Sequence, residues 1–244
     1  MITYLQKIYS TIGFIILTGL LLSGVSLYLF AEVAENVVEQ DTIVQIDLAL
    51  ANELHKAMIV NTTMVQVFQF ISLFGFQVLF VLGVVVGIAF LLRKKWFYLI
   101  IWIMTLLGGN LLNALIKGFF ARPRPVFVDP IALVGSFSFP SGHSMLSFIA
   151  YGMGAYLICL YVKNRYVRIF VVFVAVMSIA LIGISRLYLG VHYFSDVIGG
   201  FAAGAVWLAT CITAVRVYRY RAARIAAQVT VGELVSPAHE NVEA

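Results

Sequence analysis

The sequence is poor in charge: Asp, Glu, Lys and Arg make up only 11% of its 244 residues. Hydrophobic residues make up 62%, and the mean hydropathy is +1.01. Soluble domains typically carry about 25% charged and about 45–50% apolar residues. This composition therefore excludes an ordinary soluble domain and predicts an integral membrane protein.

Cysteine is also scarce, since Cys159 and Cys211 are the only two. Both lie inside apolar runs, which excludes a disulfide framework and predicts free thiols. Neither has metal-ligand spacing to a histidine. The polar motifs described below contain no carboxylate cluster for magnesium either, so no metal or other cofactor is expected. The net charge of +5 is concentrated in short clusters between apolar runs, a pattern that does not predict nucleic acid as a partner.

Six apolar runs recur along the chain, each near the ~20 residues that a helix needs to span hydrocarbon. They are long and do not alternate with polar residues, which favours helices over barrel strands. The first run is longer than the apolar part of a signal peptide, so we expect it to be retained. The sequence predicts an all-α polytopic membrane protein whose six transmembrane helices form one bundle, at residues 11–31, 67–92, 97–117, 143–162, 168–185 and 192–215.

Most basic residues of the loops fall on one side of this six-span arrangement, and the loop that contains Arg122 and Arg124 is an exception to this bias. The positive-inside rule makes that side cytoplasmic and places both termini there, in a multi-pass protein of the cell membrane. We expect residues 1–224 to form one transmembrane domain and residues 225–244 to be a short, disordered cytoplasmic tail. The basic clusters lie at residues 93–95, 163–168 and 216–224.

The acidic loop between the first two runs has apolar residues at helical spacing. Ile43, Ile46, Leu50 and Leu54 predict a short amphipathic helix. Two placements remain open: the helix lies on the outer membrane interface, or it is a surface helix packed on the loop.

The first polar motif begins at Lys117, which closes the third run. Asn110 and Asn113 share its helix face, and interhelical hydrogen bonding explains such asparagines as well as a site does. Lys117 alone could simply reach the membrane interface. Arg124 follows in an Arg-Pro-Arg-Pro stretch whose prolines stiffen the loop, and a held guanidinium suits bidentate phosphate binding.

The second motif, Pro140-Ser141-Gly142-His143, directly precedes the fourth run. Ser141 is suited to cap a helix, and Gly142 permits close approach of the backbone to a ligand. Free N–H groups and the positive end of the helix dipole are then available to an anion. Plain capping, with His143 as an interfacial side chain, is compatible with this interpretation.

The third motif joins Ser185-Arg186 to His192 and Asp196. On a helix, His192 and Asp196 share a face and can form a hydrogen bond. A carboxylate on one imidazole nitrogen fixes the tautomer and leaves the other nitrogen as a nucleophile or base. An isolated pair of this kind could equally be a buried structural contact.

Together, Lys-x6-Arg-Pro, Pro-Ser-Gly-His and Ser-Arg-x5-His-x3-Asp resemble the signature of the type-2 phosphatidic acid phosphatase superfamily. That superfamily includes membrane lipid-phosphate phosphatases, glucose-6-phosphatase and the soluble vanadium haloperoxidases. The motifs cover about a third of the chain, from Lys117 to Asp196. The six-span layout is similar to the lipid-phosphatase branch.

The resemblance implies a role for each matching residue. His192 attacks phosphorus and forms a phosphohistidine, Asp196 orients His192, and His143 protonates the leaving oxygen and then activates water. Arg122 lies outside the family spacing and is left as a candidate near the site. The residues expected to bind the phosphoryl oxygens are Lys117, Arg124, Ser141, Gly142 and Arg186.

The function implied is metal-independent hydrolysis of a lipid phosphate monoester or pyrophosphate at the outer face of the membrane. Phosphatidic acid, phosphatidylglycerol phosphate and polyprenyl pyrophosphate are the substrates the family suggests. One alternative is a phosphotransferase, which passes the phosphoryl group to an alcohol. Another is a non-catalytic lipid-binding or transport protein, which a broken motif would indicate.

Overall fold

The structure is a computed structural model that describes residues 2–127 and 135–235, with side chains described from residue 11 to residue 225. All regular secondary structure in these ranges is helical, as predicted. A π-helical turn, Met104–Gly108, joins the fifth and sixth α-helices. The α-helices are Ile2–Val38 (α1), Thr42–Val60 (α2), Thr62–Leu73 (α3), Gln77–Leu92 (α4), Trp96–Ile103 (α5), Gly109–Phe120 (α6), Gly142–Tyr161 (α7), Arg165–Tyr188 (α8) and Phe194–Val235 (α9).

Six helical segments of the described chain are long and apolar enough to span a bilayer, which confirms the predicted number. Large apolar side chains such as Leu17, Phe80 and Phe173 are more than half exposed on them, as lipid-facing residues are. Both cysteines are free, as predicted. The segments are Thr11–Val38, Thr62–Leu92, Trp96–Phe120, Gly142–Tyr161, Arg165–Tyr188 and Phe194–Ile225.

The second span, predicted as one run, is broken between α3 and α4 at residues 74–76. The Tyr151 hydroxyl of α7 donates to the Phe74 carbonyl oxygen at 2.9 Å, and the Gly75 N–H donates to Ser72. The break is tolerated because neighbouring groups satisfy its backbone. Gly75 lies against His143: a β-carbon on Gly75 would be 2.7 Å from the imidazole Cδ2.

Helices α7 and α9 are the most buried spans, and small residues let them approach closely. A β-carbon on Gly200 would lie 2.7 Å from the Ser141 carbonyl oxygen, and one on Gly204 would lie 3.0 Å from that of Met145. This glycine pair therefore lets the two helix backbones pack closely. It brings the start of α7 beside the start of α9.

Helix α2 is present where the acidic loop predicted a helix, and it packs on the ends of α1, α3, α8 and α9. Its buried positions are Asp47, Ala51 and Met58, whereas Ile46 is half exposed. The structure therefore favours the packed placement. The helical spacing of apolar residues did not identify Asp47 as buried, because an aspartate is not part of an apolar pattern.

The end of the chain also differs from expectation. Helix α9 continues to Val235, so the segment 225–244, predicted to be disordered, begins as helix. Residues 236–244 lie outside the described residues.

Trp102 ties the third span to the second within the apolar core. Its indole nitrogen donates to the Gly83 carbonyl oxygen at 2.8 Å, and the side chain is only 6% exposed. We expect Trp102→Phe to lower the free energy of unfolding by about 1–2 kcal/mol, because that hydrogen bond is lost in an apolar setting. Thermal unfolding in detergent measures the effect.

Trp96→Phe is the matched control. Trp96 is 57% exposed at the start of α5, so its replacement should change stability by less than about 0.5 kcal/mol. Equal losses in the two variants would contradict this view of the core.

Candidate active site

The three motifs converge at one end of the bundle. Lys117 lies in the last turn of α6, Arg186 in the last turn of α8, and His143 in the first turn of α7. His143 interacts electrostatically with Lys117, Arg186, Arg124 and His192. The structure thus brings both histidines and all three predicted cations into one cluster.

His192 and Asp196 are paired as predicted, but not on one helix. Helix α9 begins at Phe194, so His192 lies in the turn before it. The imidazole Nδ1 lies 3.2 Å from the Asp196 Oδ2. The same oxygen accepts the Tyr193 N–H at 2.8 Å, as the acidic member of a capping box does. The turn therefore forms because Asp196 satisfies both groups.

The Asp196 carboxylate is fully buried and surrounded by donors. Besides His192 and Tyr193, it accepts hydrogen bonds from the Ser138 hydroxyl and from the Arg122 guanidinium, the latter at 2.8 Å. Because the carboxylate is an acceptor, the proton between it and His192 resides on Nδ1. Nε2 of His192 then carries a lone pair, on the side of the ring away from Asp196.

His192 is held in its neutral form. Burial lowers the pKa of His192 to about 4, and the hydrogen bond and charge of Asp196 offset only part of that effect, while Arg124 and Arg186 add to it. The guanidinium NH1 of Arg124 lies 3.1 Å from the His192 Nε2 and donates to it. A neutral imidazole with Nε2 facing a cation is the form suited to attack an anion bound by that cation.

Lys117 and Arg124 bind the loop that leads to α7. Lys117 Nζ donates to the carbonyl oxygens of Phe137 and Ser138, at 2.6 and 3.2 Å. Arg124 donates to the carbonyl oxygens of Ser136, Phe137 and Val191. The two cations therefore hold this loop and the His192 turn together.

Arg186 is 9% exposed and donates from NH1 to the Ser72 hydroxyl of the second span. Its Nε is buried and has no hydrogen-bond partner within the described part of the chain. A buried donor without a partner costs stability unless a ligand supplies the acceptor. Sequence reasoning missed Ser72, which no spacing rule connects to Arg186.

Ser141 caps α7, as predicted, by accepting the Ser144 N–H. Its own N–H donates to the Asp196 carbonyl oxygen at 2.9 Å, which joins the second and third motifs. Gly142 allows close packing, because a β-carbon there would lie 3.0 Å from the Asn113 Oδ1. Asn113 is buried and donates to the Pro140 carbonyl oxygen, whereas Asn110 is exposed.

Arg122 also contacts this cluster, although the motif spacing did not assign it a role. It bridges the carboxylates of Asp196 and Asp47, each at 2.8 Å. Asp47 and its second partner, Ser195, were missed by the sequence analysis. The one signal for Asp47 was an acidic residue between the apolar positions of a helix.

The described residues leave an open cavity of about 620 Å³ lined by Lys117, Arg122, Arg124 and the loop 135–137, and neither histidine of the cluster is among the lining residues. Its size is in the range of small-molecule sites. Within the described ranges, no group of three His, Cys, Asp or Glu side chains is placed to hold a metal ion.

Two solved structures are similar in fold. The crystal structure of a transmembrane PAP2 type phosphatidylglycerolphosphate phosphatase from Bacillus subtilis aligns with a TM-score of 0.69 and 30% identity, over 78% of this chain and 94% of that one. LpxE of Aquifex aeolicus aligns with a TM-score of 0.51 and 23% identity, over 68% of this chain, and shows the fold alone.

Two curated proteins are similar in sequence. Phosphatidylglycerophosphatase B of Bacillus subtilis is 40% identical over 47% of this chain, and a lipid A 4'-phosphatase of Bacteroides thetaiotaomicron is 32% identical over 41%. The chain spans only 56% and 47% of these relatives' own lengths. The pattern of the PAP2 superfamily matches residues 96–220, which is half of the chain and includes all three motifs. The protein therefore belongs to the PAP2 superfamily.

Proposed function

We propose that the protein is a membrane phosphatase that hydrolyses a lipid phosphate monoester or pyrophosphate through a phosphohistidine. One observation supports this most strongly. The neutral His192, oriented by Asp196, presents Nε2 to a cluster of three cations, Lys117, Arg124 and Arg186. A nucleophile facing convergent cations suits attack on a phosphoryl group.

The reaction has two balanced steps. Nε2 of His192 forms a bond to phosphorus while the bond to the leaving oxygen breaks, and His143 gives that oxygen a proton. Neutral His143 then takes a proton from water, whose oxygen attacks phosphorus and displaces His192, releasing inorganic phosphate. Positioning and charge stabilisation supply most of the catalysis in such a transfer.

The cations stabilise the charge on the phosphoryl oxygens. Arg186 Nε has an unused donor, so a phosphoryl oxygen gives this buried group its missing partner. Arg124 now donates to His192 Nε2, and transfer of that donor to a phosphoryl oxygen frees the lone pair for attack. The cations fill the place that metal ions take in other phosphatases, so we predict activity without a metal.

A lipid phosphate is the substrate class that fits these residues and the relatives. The site lies at the ends of apolar spans, so a lipid tail can stay in the bilayer while its headgroup reaches His192. The names of both curated relatives refer to lipid phosphates, and phosphatidylglycerol phosphate is suggested by one of them and by a solved structure.

We infer that the site faces the outside of the cell membrane and that both termini are cytoplasmic. The basic clusters at residues 93–95, 163–168 and 216–224 lie at the end of the spans opposite the three motifs. The positive-inside rule assigns that end to the cytoplasm.

The assignment of the nucleophile is tested by phosphate release from a panel of lipid phosphates with purified protein and a chelator present. His192→Asn should lower kcat at least about 10³-fold, because it removes the attacking atom. His239→Asn, in the C-terminal segment, is the matched control and should retain activity. Activity of His192→Asn near that of the wild type would refute the nucleophile, and loss of wild-type activity to the chelator would refute the metal-free reaction.

The same assay in ¹⁸O-labelled water separates hydrolysis from phosphotransfer. Hydrolysis places one labelled oxygen in each phosphate released. A phosphorylated alcohol without label would identify the phosphotransferase, and binding of lipid without turnover would favour the non-catalytic alternative.

The pH dependence follows from the lowered pKa of His192. Because burial disfavours the imidazolium, His192 stays neutral and nucleophilic as the pH falls, until its pKa of about 4. The acid limb of kcat/KM should therefore have its midpoint near pH 4 rather than near the ordinary histidine value of about 6.5. The basic limb is expected in kcat rather than in kcat/KM, because the bound phosphoryl anion favours the protonated His143 that donates to the leaving oxygen, and kcat should therefore have a bell-shaped profile.

The pH profile is measured with two monoester substrates whose phosphate groups have different pKa values. This distinguishes an acid limb caused by the enzyme from one caused by ionisation of the substrate. The limb that belongs to His192 stays at the same pH with both. A profile without limbs, or an enzyme limb near 6.5, would contradict this division of roles.

The break in the second span gives a separate test of His143. In Gly75→Ala the new methyl group meets His143 Cδ2 at 2.7 Å and Ile182 Cγ2 at 2.8 Å, so the imidazole must move. A displacement of about 1 Å can lower kcat roughly 10²-fold. Gly154→Ala, on the same helix as His143, adds a methyl group with no atom within 4 Å and should keep full activity. Full activity of Gly75→Ala would show that His143 is not held there.

A further inference from the structure

Arg122 lies between two buried carboxylates. Its NH1 lies 2.8 Å from Asp196 Oδ1 and 2.7 Å from the Ser195 hydroxyl, and its NH2 lies 2.8 Å from Asp47 Oδ2. The guanidinium also lies over the Tyr193 ring, 4.3 Å from its centre. The Arg122 side chain is 10% exposed and both carboxylates are fully buried. A planar fork is the group that can contact two carboxylates at once.

Asp47 does more than neutralise Arg122. Its carboxylate accepts the Ser195 N–H at 2.9 Å and the Ser195 hydroxyl. Ser195 is the second residue of α9, so Asp47 caps this helix from the distant helix α2. The turn of His192 and the first turn of α9 are thereby attached to a surface helix.

The charges of this network are strongly coupled, because water is largely excluded from them. One cation and two carboxylates leave a net charge of −1 beside His192. That excess favours the imidazolium form, which the surrounding cations oppose. A change in either Arg122 or Asp47 alters the excess by one unit.

We propose that Arg122 and Asp47 are positioning residues for the nucleophile: Arg122 holds the Asp196 carboxylate against His192 and limits its negative charge, while Asp47 holds Arg122 and the start of α9. This inference rests on the proposed function, in which His192 attacks phosphorus. Neither residue belongs to the three motifs.

The other groups facing His192 stay the same in every variant below, so they contribute equally to each profile. Asp196 contacts Nδ1 and Arg124 contacts Nε2. Arg186 on α8 and His143 on α7 act on His192 through space, Tyr193 lies next to it in the chain, and Lys117 on α6 acts on Asp196.

The test is the sign of the change in the acid limb of kcat/KM. Arg122→Gln leaves two unpaired carboxylates, favours the imidazolium and should move the limb to higher pH by about one unit. Asp47→Asn leaves Arg122 neutralised by Asp196 alone, disfavours the imidazolium and should move the limb to lower pH. The double variant restores the net charge of −1 and should return the limb to the wild-type position.

Arg122→Lys is the matched control, because it keeps the positive charge and changes only the shape of the side chain. It keeps the cation but not the fork that spans two carboxylates, so the limb should stay in place while kcat falls about tenfold. A residue with only a structural role would lower activity in all variants and leave the limb unmoved. That result, or a limb that moves the same way in Arg122→Gln and Asp47→Asn, would overturn the proposal.

Failure of this inference is distinguishable from failure of the proposed function. Suppose that wild-type hydrolysis depends on His192 but the acid limbs of Arg122→Gln and Asp47→Asn do not move apart. Then only the role proposed for Arg122 and Asp47 is wrong. If hydrolysis survives in His192→Asn, the proposed function fails and this inference fails with it. Should thermal unfolding show that Arg122→Gln does not fold, Asp47→Asn and Arg122→Lys decide the matter: the first must move the limb down and the second must not move it.

Discussion

The structure of the site depends on one buried negative charge. The Asp196 carboxylate lies in a largely apolar bundle, where an unpaired charge would be prohibitively costly. Its partners come from separate segments: His192 and the Tyr193 N–H from the turn before α9, Ser138 from the loop before α7, and Arg122 from the loop after α6. Satisfying this one group brings together the segments that bear the proposed nucleophile and the cations.

The membrane setting explains why side chains near the site form so many hydrogen bonds with irregular backbone. Irregular backbone is tolerated near the hydrocarbon only where its polar groups have partners. Lys117 and Arg124 supply those partners for the loop 136–138, and Tyr151 does so for the break in the second span. The cations that would bind phosphate therefore also stabilise the loop around it, so binding of an anion must redistribute hydrogen bonds that already exist. A site built this way is already ordered before the substrate arrives.

Much of the fold and of the proposed site could be predicted, because both depend on patterns that are local in sequence. Run lengths predicted six spans, and the serine before a helix predicted the cap at Ser141. The pairing of His192 with Asp196 was also predicted, although the helix begins two residues later than expected. The break in the second span could not be predicted, because it depends on the side chain of Tyr151, which reaches across from another helix.

Asp47 and Ser72 were missed for the same reason, since they contact residues far along the chain. A motif records residues at short fixed separations, whereas Asp47 and Ser195 lie 148 residues apart in the chain. Asp47 forms an ion pair with Arg122, and Arg122 in turn forms an ion pair with Asp196 and orients its carboxylate. Helix α2, which the sequence indicated only as a surface feature, is thus part of the structure that orients His192. A site defined by its motifs alone would omit the element that holds its central carboxylate in place.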